Sequence, residues 1–183
     1  MQSATLRAPY QLGPLPLGRA METVDQQLVR ASPHAMFQLA RDVEQWPAYL
    51  AHYRYVRFRE RSRDGGGLVE MSANRPFGLM NWPTWWLSEM SVDDREPAIR
   101  FRHVGGITKG MDVEWQFTRR GEFAHVRIVH VWDGPRWPFV GIVAARRLIG
   151  PVFIHGIASR TLAGLAAVAE REALRTAGPG GAA

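Results

Sequence analysis

Cysteine is absent from all 183 residues. Disulfides, thiol nucleophiles and thiolate metal sites are thereby excluded. Lysine is almost as scarce: of the 23 basic residues only Lys109 is not an arginine. No apolar run approaches the ~18–20 residues that a membrane span requires. The opening segment MQSATLRAPYQLGPLPLGRA has neither the basic and apolar regions nor the cleavage site of a secretory leader. A cytoplasmic location is the expectation. The six histidines are dispersed, with no His-x₃-His and no His-Glu-x-x-His, so neither a metal nor another cofactor is expected. Gly105-Gly106-x-x-x-Gly110 is outwardly like a phosphate loop but lacks the strand–loop–helix setting. There is also no Gly-x-Ser-x-Gly. These absences speak against a hydrolase or a nucleotide enzyme.

What is present is ordinary in amount and ordered in pattern. Apolar residues form 46% of the chain, and the length suits one domain with a sizeable core. The formal charge of +6 rests on arginine, whose planar fork suits carboxylates and phosphates. A preference for arginine codons is the plainer explanation, and an acidic partner, an anionic ligand or a membrane surface are the alternatives. The arginines form no run and no single helix face, so nucleic acid is not expected as a partner.

Residues 1–20, with LGPLPLG, read as an irregular arm, and 176–183 as a frayed tail. Met21–Val29 is a strand candidate. Ser32 is a good helix N-cap, followed by Pro33 at the first helical position where its missing N–H costs nothing. Asp42 is expected to cap a second short helix, DVEQWPAYL, with Trp46 and Leu50 inward. Strands then follow in series: Tyr53–Arg61, Leu68–Arg75, Pro83–Val92, Ala98–Val104, Gly110–Arg120 and Ala124–Trp132, separated by glycine-rich or polar turns. Met111, Val113, Trp115 and Phe117 alternate with polar residues, and Val126, Ile128, His130 and Trp132 share a face. One-sided antiparallel sheets show this pattern. A segment from about Pro138 must break or bend at Gly150-Pro151. From Val152 to Arg175, Phe153, Ile157, Thr161, Leu165, Val168 and Ala169 recur near the helical period. A helix of that length is about 36 Å long, enough to lie across a whole sheet. The order β-α-α-β₆-α is α+β.

The segments VRASPHAMFQLARDVEQWPAYLAHYRYVRF, WWLSEMSVDDREPAIRFRHVGGITKGMDVEWQFTRRGEFAHVRIVHVW and FIHGIASRTLAGLAAVAE resemble the polyketide cyclase/aromatase branch of the START-like (SRPBCC) superfamily. Together they cover most of residues 22–172. The resemblance implies a helix-grip fold over 21–175, in which a curved antiparallel sheet wraps a long C-terminal helix around a ligand cavity. It implies a hydrophobic small molecule there: an aromatic polyketide, a lipid or an isoprenoid quinone. In the enzymatic branch it implies cyclisation and dehydration of a poly-β-ketone delivered by an acidic acyl carrier protein. The alternative is a non-catalytic lipid or quinone carrier. By motif position, Trp46 and Tyr53 match an aromatic and a tyrosine of the family, while the assigned arginine of the tryptophan strand falls on Met90. A thioether cannot act as an acid, and Arg75, Arg100 or His130 are the possible substitutes.

The candidate catalytic residues are therefore Tyr53, His130 and Arg100. Trp46, Trp82, Trp86, Met90, Met111, Val113, Trp115, Phe117, Ile128, Phe153 and Ile157 are candidates for the cavity wall. Each has a plainer reading beside it. Tyr53 can be a packed ring with its hydroxyl at the rim. Trp46 can anchor the second helix. Period 2 sends Trp82 and Trp86 to one face and Trp85 to the other, and core packing is the common use of such rings. His130 can be a core histidine bonded to a neighbour. With Ile99, Phe101 and His103 inward, Arg100 and Arg102 should point to solvent, unless a bulge turns Arg100 in.

Overall fold

A computed structural model describes residues 10–77, 80–134 and 155–176; at 75–77, 80–82 and 155 it describes the backbone alone. β1 (Met21–Val29) leads into α1 (Pro33–Arg41), a 3₁₀ turn (Val43–Gln45) and the single-turn α2 (Trp46–Tyr49). Six strands follow: β2 (Tyr53–Arg61), β3 (Gly67–Phe77), β4 (Met80–Asp93), β5 (Ala98–Gly106), β6 (Asp112–Arg120) and β7 (Phe123–Trp132). α3 (His155–Thr176) closes the described chain.

The sheet order is β1-β7-β6-β5-β4-β3-β2 and every pairing is antiparallel. β2 to β7 follow one another as hairpins. Only the β1-to-β2 connection passes from one edge to the other, and α1 and α2 lie on it. The curved sheet and its long helix form the helix-grip α+β architecture, with α3 packed against β1, α1, α2 and β3. Among the described residues no helix is long and apolar enough to cross a membrane.

Local chemistry explains most element boundaries. Ser32 Oγ accepts from the Ala35 backbone N–H at 3.0 Å, which with Pro33 starts α1 where the sequence signals it. Asp42 is a correction: its side chain makes no capping bond, and its backbone N–H instead closes α1 on Gln38 O. β4 begins before Pro83, which the sequence reading took as its first residue. Among the described residues, the part of β4 before Trp86 pairs only with β3, since the β4–β5 ladder begins at Trp86 opposite Gly106. Proline is tolerated where one side of a strand has no neighbour. β6 begins at Asp112 rather than Gly110, because Gly110 has φ +89° and Met111 N–H bonds to Thr108 O within the turn.

Gly106 fixes the corner at the end of β5, where it lies opposite Trp86 of β4. Its φ is +82°, and a Cβ there would sit 2.3 Å from the Trp85 carbonyl oxygen. A Gly106→Ala change combines a disfavoured backbone with a rigid clash, and it is expected to cost about 2 kcal/mol or more. Urea unfolding of the variant measures this, and an unchanged midpoint would show that the corner relaxes freely.

Register assigns the faces, since residues directly opposite in an antiparallel pair share one. Tyr53, Met71, Trp86, Phe101, Val113 and His130 fall on the concave face. The convex face carries ion pairs instead: Arg100–Glu114 at 2.5 Å, Arg102–Asp112 at 2.8 Å, and Arg57 and Arg59 on Glu70. The described part of the arm also lies on this side. Tyr10 Oη donates to Glu60 at 3.0 Å, while Arg19 contacts Asp112 and Asp133.

Candidate functional site

Alternation along the strands points one aromatic or aliphatic side chain per two residues toward α3. α1 fills one end of the resulting space. Phe37, buried on α1, meets Phe117 edge-on at 5.5 Å between ring centroids, so that end is packed solid. Toward the β5–β6 turn the filling is incomplete and a cavity of about 70 Å³ remains. Its wall includes Trp46, Tyr53, Trp86, Met111, Val113, Trp115, Ile128, His130 and Ile157 of the sequence candidates. Met71, Phe101, His103, Thr108, Ala158 and Thr161 also line it.

The remaining candidates lie elsewhere. Met90 and Phe117 are buried in the core but do not line the cavity. Arg100 does not line it either; its Nε donates to Glu114 on the convex face. The β4–β5 register does shift, between Leu87 and Ser88, but Arg100 lies beyond the shift and keeps its outward parity. At Trp82 only the backbone, in β4 opposite Arg75, is described. Phe153 lies outside the described residues, as does the segment from Pro138 to Pro151.

Aromatic contacts hold the wall. Trp46 donates its Nε1–H to Leu39 O at 3.1 Å, so the ring that anchors α2 to α1 also faces the cavity. It touches Tyr53 at 5.3 Å and Trp115 at 5.7 Å between centroids. Trp86 stacks on the His103 ring at 6.1 Å and 13° between planes. These ring pairs have the offset or edge geometries that add to area burial.

Two polar poles interrupt the apolar wall. At the first, His103 Nδ1 lies 2.6 Å from Thr108 Oγ1, on the turn that Gly110 permits. His130, one strand beyond β6, has Nδ1 3.5 Å from Thr23 Oγ1. Burial pushes both imidazoles down to about 3, and the neighbouring His130 adds to the effect on His103. Both rings are therefore neutral across the physiological range. At the second pole, Thr161 Oγ1 of α3 lies 2.8 Å from Ile157 O, 3.1 Å from His52 Nε2 and 3.3 Å from Tyr53 Oη. Burial, then the charge of Arg160, lowers the His52 pKa.

His103 and Thr161 were legible only in part. Both sit on the faces the sequence pattern sends inward, but nothing in the pattern distinguishes a cavity wall from packed core. Among the described residues no group of three or more potential metal-ligating side chains forms. No acidic or basic side chain other than the two histidines lines the cavity among those residues.

Comparison with known proteins agrees with this geometry. An aromatase/cyclase from Streptomyces sp. R1128, Zhui, superposes with a TM-score of 0.71 at 15% identity, covering 87% of this chain and 99% of its own. A START superfamily protein from Mycobacterium smegmatis matches at 0.58 and 14%, covering 82% and 95%. The major latex-like protein 151 of Panax ginseng matches at 0.65 and 12%, covering 83% and 99%. At these identities the likeness is one of fold. A search of curated proteins by sequence gives no match. Residues 29–152 match the family described as polyketide cyclase / dehydrase and lipid transport, which is more than half of the chain, and the chain belongs to that family.

Proposed function

We propose that the protein binds a hydrophobic poly-β-ketone or aromatic ligand in the cavity under α3 and promotes its cyclisation and dehydration. The observation that carries this reading is an aromatic wall with hydrogen-bonding groups at two separate poles. Such a wall can hold a flexible chain in one reactive fold, an entropic contribution that can be large. Tyr53 and the His103–His130 pair are the groups within reach of a bound ligand. An imidazole held at about 3 is a weak base at neutral pH, so positioning carries more of the effect than proton transfer. The arginine-rich surface is the proposed contact for an acidic acyl carrier protein.

A second reading, passive carriage of a lipid or isoprenoid quinone, draws on the same cavity. Met90 is fully buried where the family resemblance places an arginine, and Arg100 is committed to Glu114 outside. A wall rich in Met and Trp adapts to varied apolar ligands. Native mass spectrometry of the purified protein, followed by extraction, separates the two. A near-stoichiometric quinone, isoprenoid or fatty acid favours the carrier. An empty cavity that accepts a polyketide analogue, with Tyr53→Phe or His130→Ala changing products more than affinity, favours the cyclase.

A further inference from the structure

His103 is held on two sides and open on a third. Trp86 stacks on its ring at 13° between planes, and its Nδ1 lies 2.6 Å from Thr108 Oγ1. Nε2 has no hydrogen-bond partner among the described residues, and it is not sealed within the core. The ring borders the cavity, so Nε2 is the atom it offers to a ligand. Burial, with the charge of nearby His130 adding to it, keeps the ring neutral. It therefore carries one hydrogen, on Nδ1 or on Nε2. The Thr108 hydroxyl serves both cases, because it can donate or accept. Among the described residues Thr108 Oγ1 has no other hydrogen-bond partner to fix its direction. When Thr108 donates to Nδ1, Nε2–H faces the ligand as a donor. When Nδ1–H donates to Thr108, Nε2 faces the ligand as an acceptor.

We infer that His103 is a specificity-determining residue whose Nε2 changes role with the ligand, so that this pole holds a ketone carbonyl or a phenolic hydroxyl at the same place. A carbonyl oxygen only accepts, and it takes the Nε2–H tautomer. A phenol donates better than it accepts, and it takes the Nδ1–H tautomer. The ring carries one hydrogen in either state and only its place changes. Neither ligand therefore needs a charge in the cavity, where an unpaired one is costly. The inference rests on the cavity being the poly-β-ketone site proposed above, and it adds a property to that site. Cyclisation and dehydration turn ketone carbonyls into phenolic hydroxyls. A pole of fixed role would grip one of the two and reject the other, whereas His103 holds this end of the ligand before and after ring formation.

The test uses protein labelled with ¹⁵N in its histidine rings, in which NMR reads the nitrogen that carries the hydrogen. The probes are 4-fluoroacetophenone, 4-fluorophenol and the apolar 4-fluorotoluene, with affinities from ¹⁹F titration. In the wild type the ketone should place the His103 hydrogen on Nε2 and the phenol should place it on Nδ1. Each should bind about fivefold or more tightly than 4-fluorotoluene, as one neutral hydrogen bond predicts. His103→Phe keeps a ring against Trp86 and should bring the three affinities together. The wild-type spectra stand without that variant should it misfold. The same His103 tautomer with ketone and phenol overturns the inference, as does an imidazolium with either. Equal binding of all three probes to the wild type overturns it as well. Failure of all three to bind removes the ligand-site reading itself, and this inference with it.

Discussion

Lowering the pH from 6.5 toward 4.5 is expected to destabilise the protein steeply, by about 1.4 kcal/mol per pH unit for each of His103 and His130. Both folded-state pKa values lie near 3, against 6.5 for an unconstrained imidazole. In this window the unfolded chain binds a proton at each site and the folded chain does not. The sign follows: the stabilisation is complete above pH 6.5 and is lost as the pH falls toward 3. By pH 4 the loss amounts to roughly 3 kcal/mol per histidine, which is large against the ~5–15 kcal/mol of a typical domain. Two other lowered histidines contribute in the same direction, His52 through burial and Arg160, and the more exposed His125. The carboxylates act in a lower window. Desolvation of Glu70 is outweighed by hydrogen bonds from Arg57, Tyr55 and Arg59, and burial of Asp93 by backbone N–H donors, so their contributions fade only below about 4.5.

Urea unfolding at several pH values reads the slope directly. His103→Gln and His130→Gln should each remove about one proton from the slope between pH 6.5 and 4.5, whatever they do to stability at pH 7. A slope unchanged in both variants would show that these rings gain solvent or a partner in the folded protein.

Removing the indole of Trp115 is the second large effect. That ring lines the cavity, is 4% exposed, and packs between Trp46 at 5.7 Å and Phe117 at 6.3 Å. Trp115→Ala forfeits its burial and leaves a hole between two rings that α1 and α2 hold in place, so a loss of about 3–5 kcal/mol is expected. The hole joins the existing cavity, and free indole should refill it. Millimolar indole should then raise the Tm of the variant while leaving the wild type almost unchanged, because only a ligand of the folded state stabilises it. A loss below about 1 kcal/mol would mean that the wall collapses around the missing ring, and equal stabilisation of both proteins by indole would place its site elsewhere.

Much of the fold was legible because period and punctuation are local. Strict alternation in Met111–Thr118 needs only a one-sided sheet to explain it, and Ser32-Pro33 starts a helix by backbone chemistry alone. Where the sequence reading missed, a neighbouring strand had decided. Pro83 looks like a strand start, yet β4 continues through it because, among the described residues, no strand pairs on its far side there. Asp42 looks like a cap, but the chain turns so tightly after α1 that its backbone N–H is used and its carboxylate is not.

The site divides along the same line. Residue order by itself determined which side chains face inward, that the protein has no thiol chemistry, and that Arg100 alternates out of phase with Ile99 and Phe101. These depend on backbone periods of 2 and 3.6 residues, which any stretch of sequence displays. Tertiary structure alone decided where packing stops. Phe37 of α1 fills the Phe117 end, so Phe117 and Met90 become core while Tyr53, His103 and Thr161 border a cavity. It also brought together groups about a hundred residues apart, Tyr53 with Thr161 and Thr23 with His130. Such meetings depend on how distant segments pack, and that is a property of the folded molecule rather than of any segment of the chain.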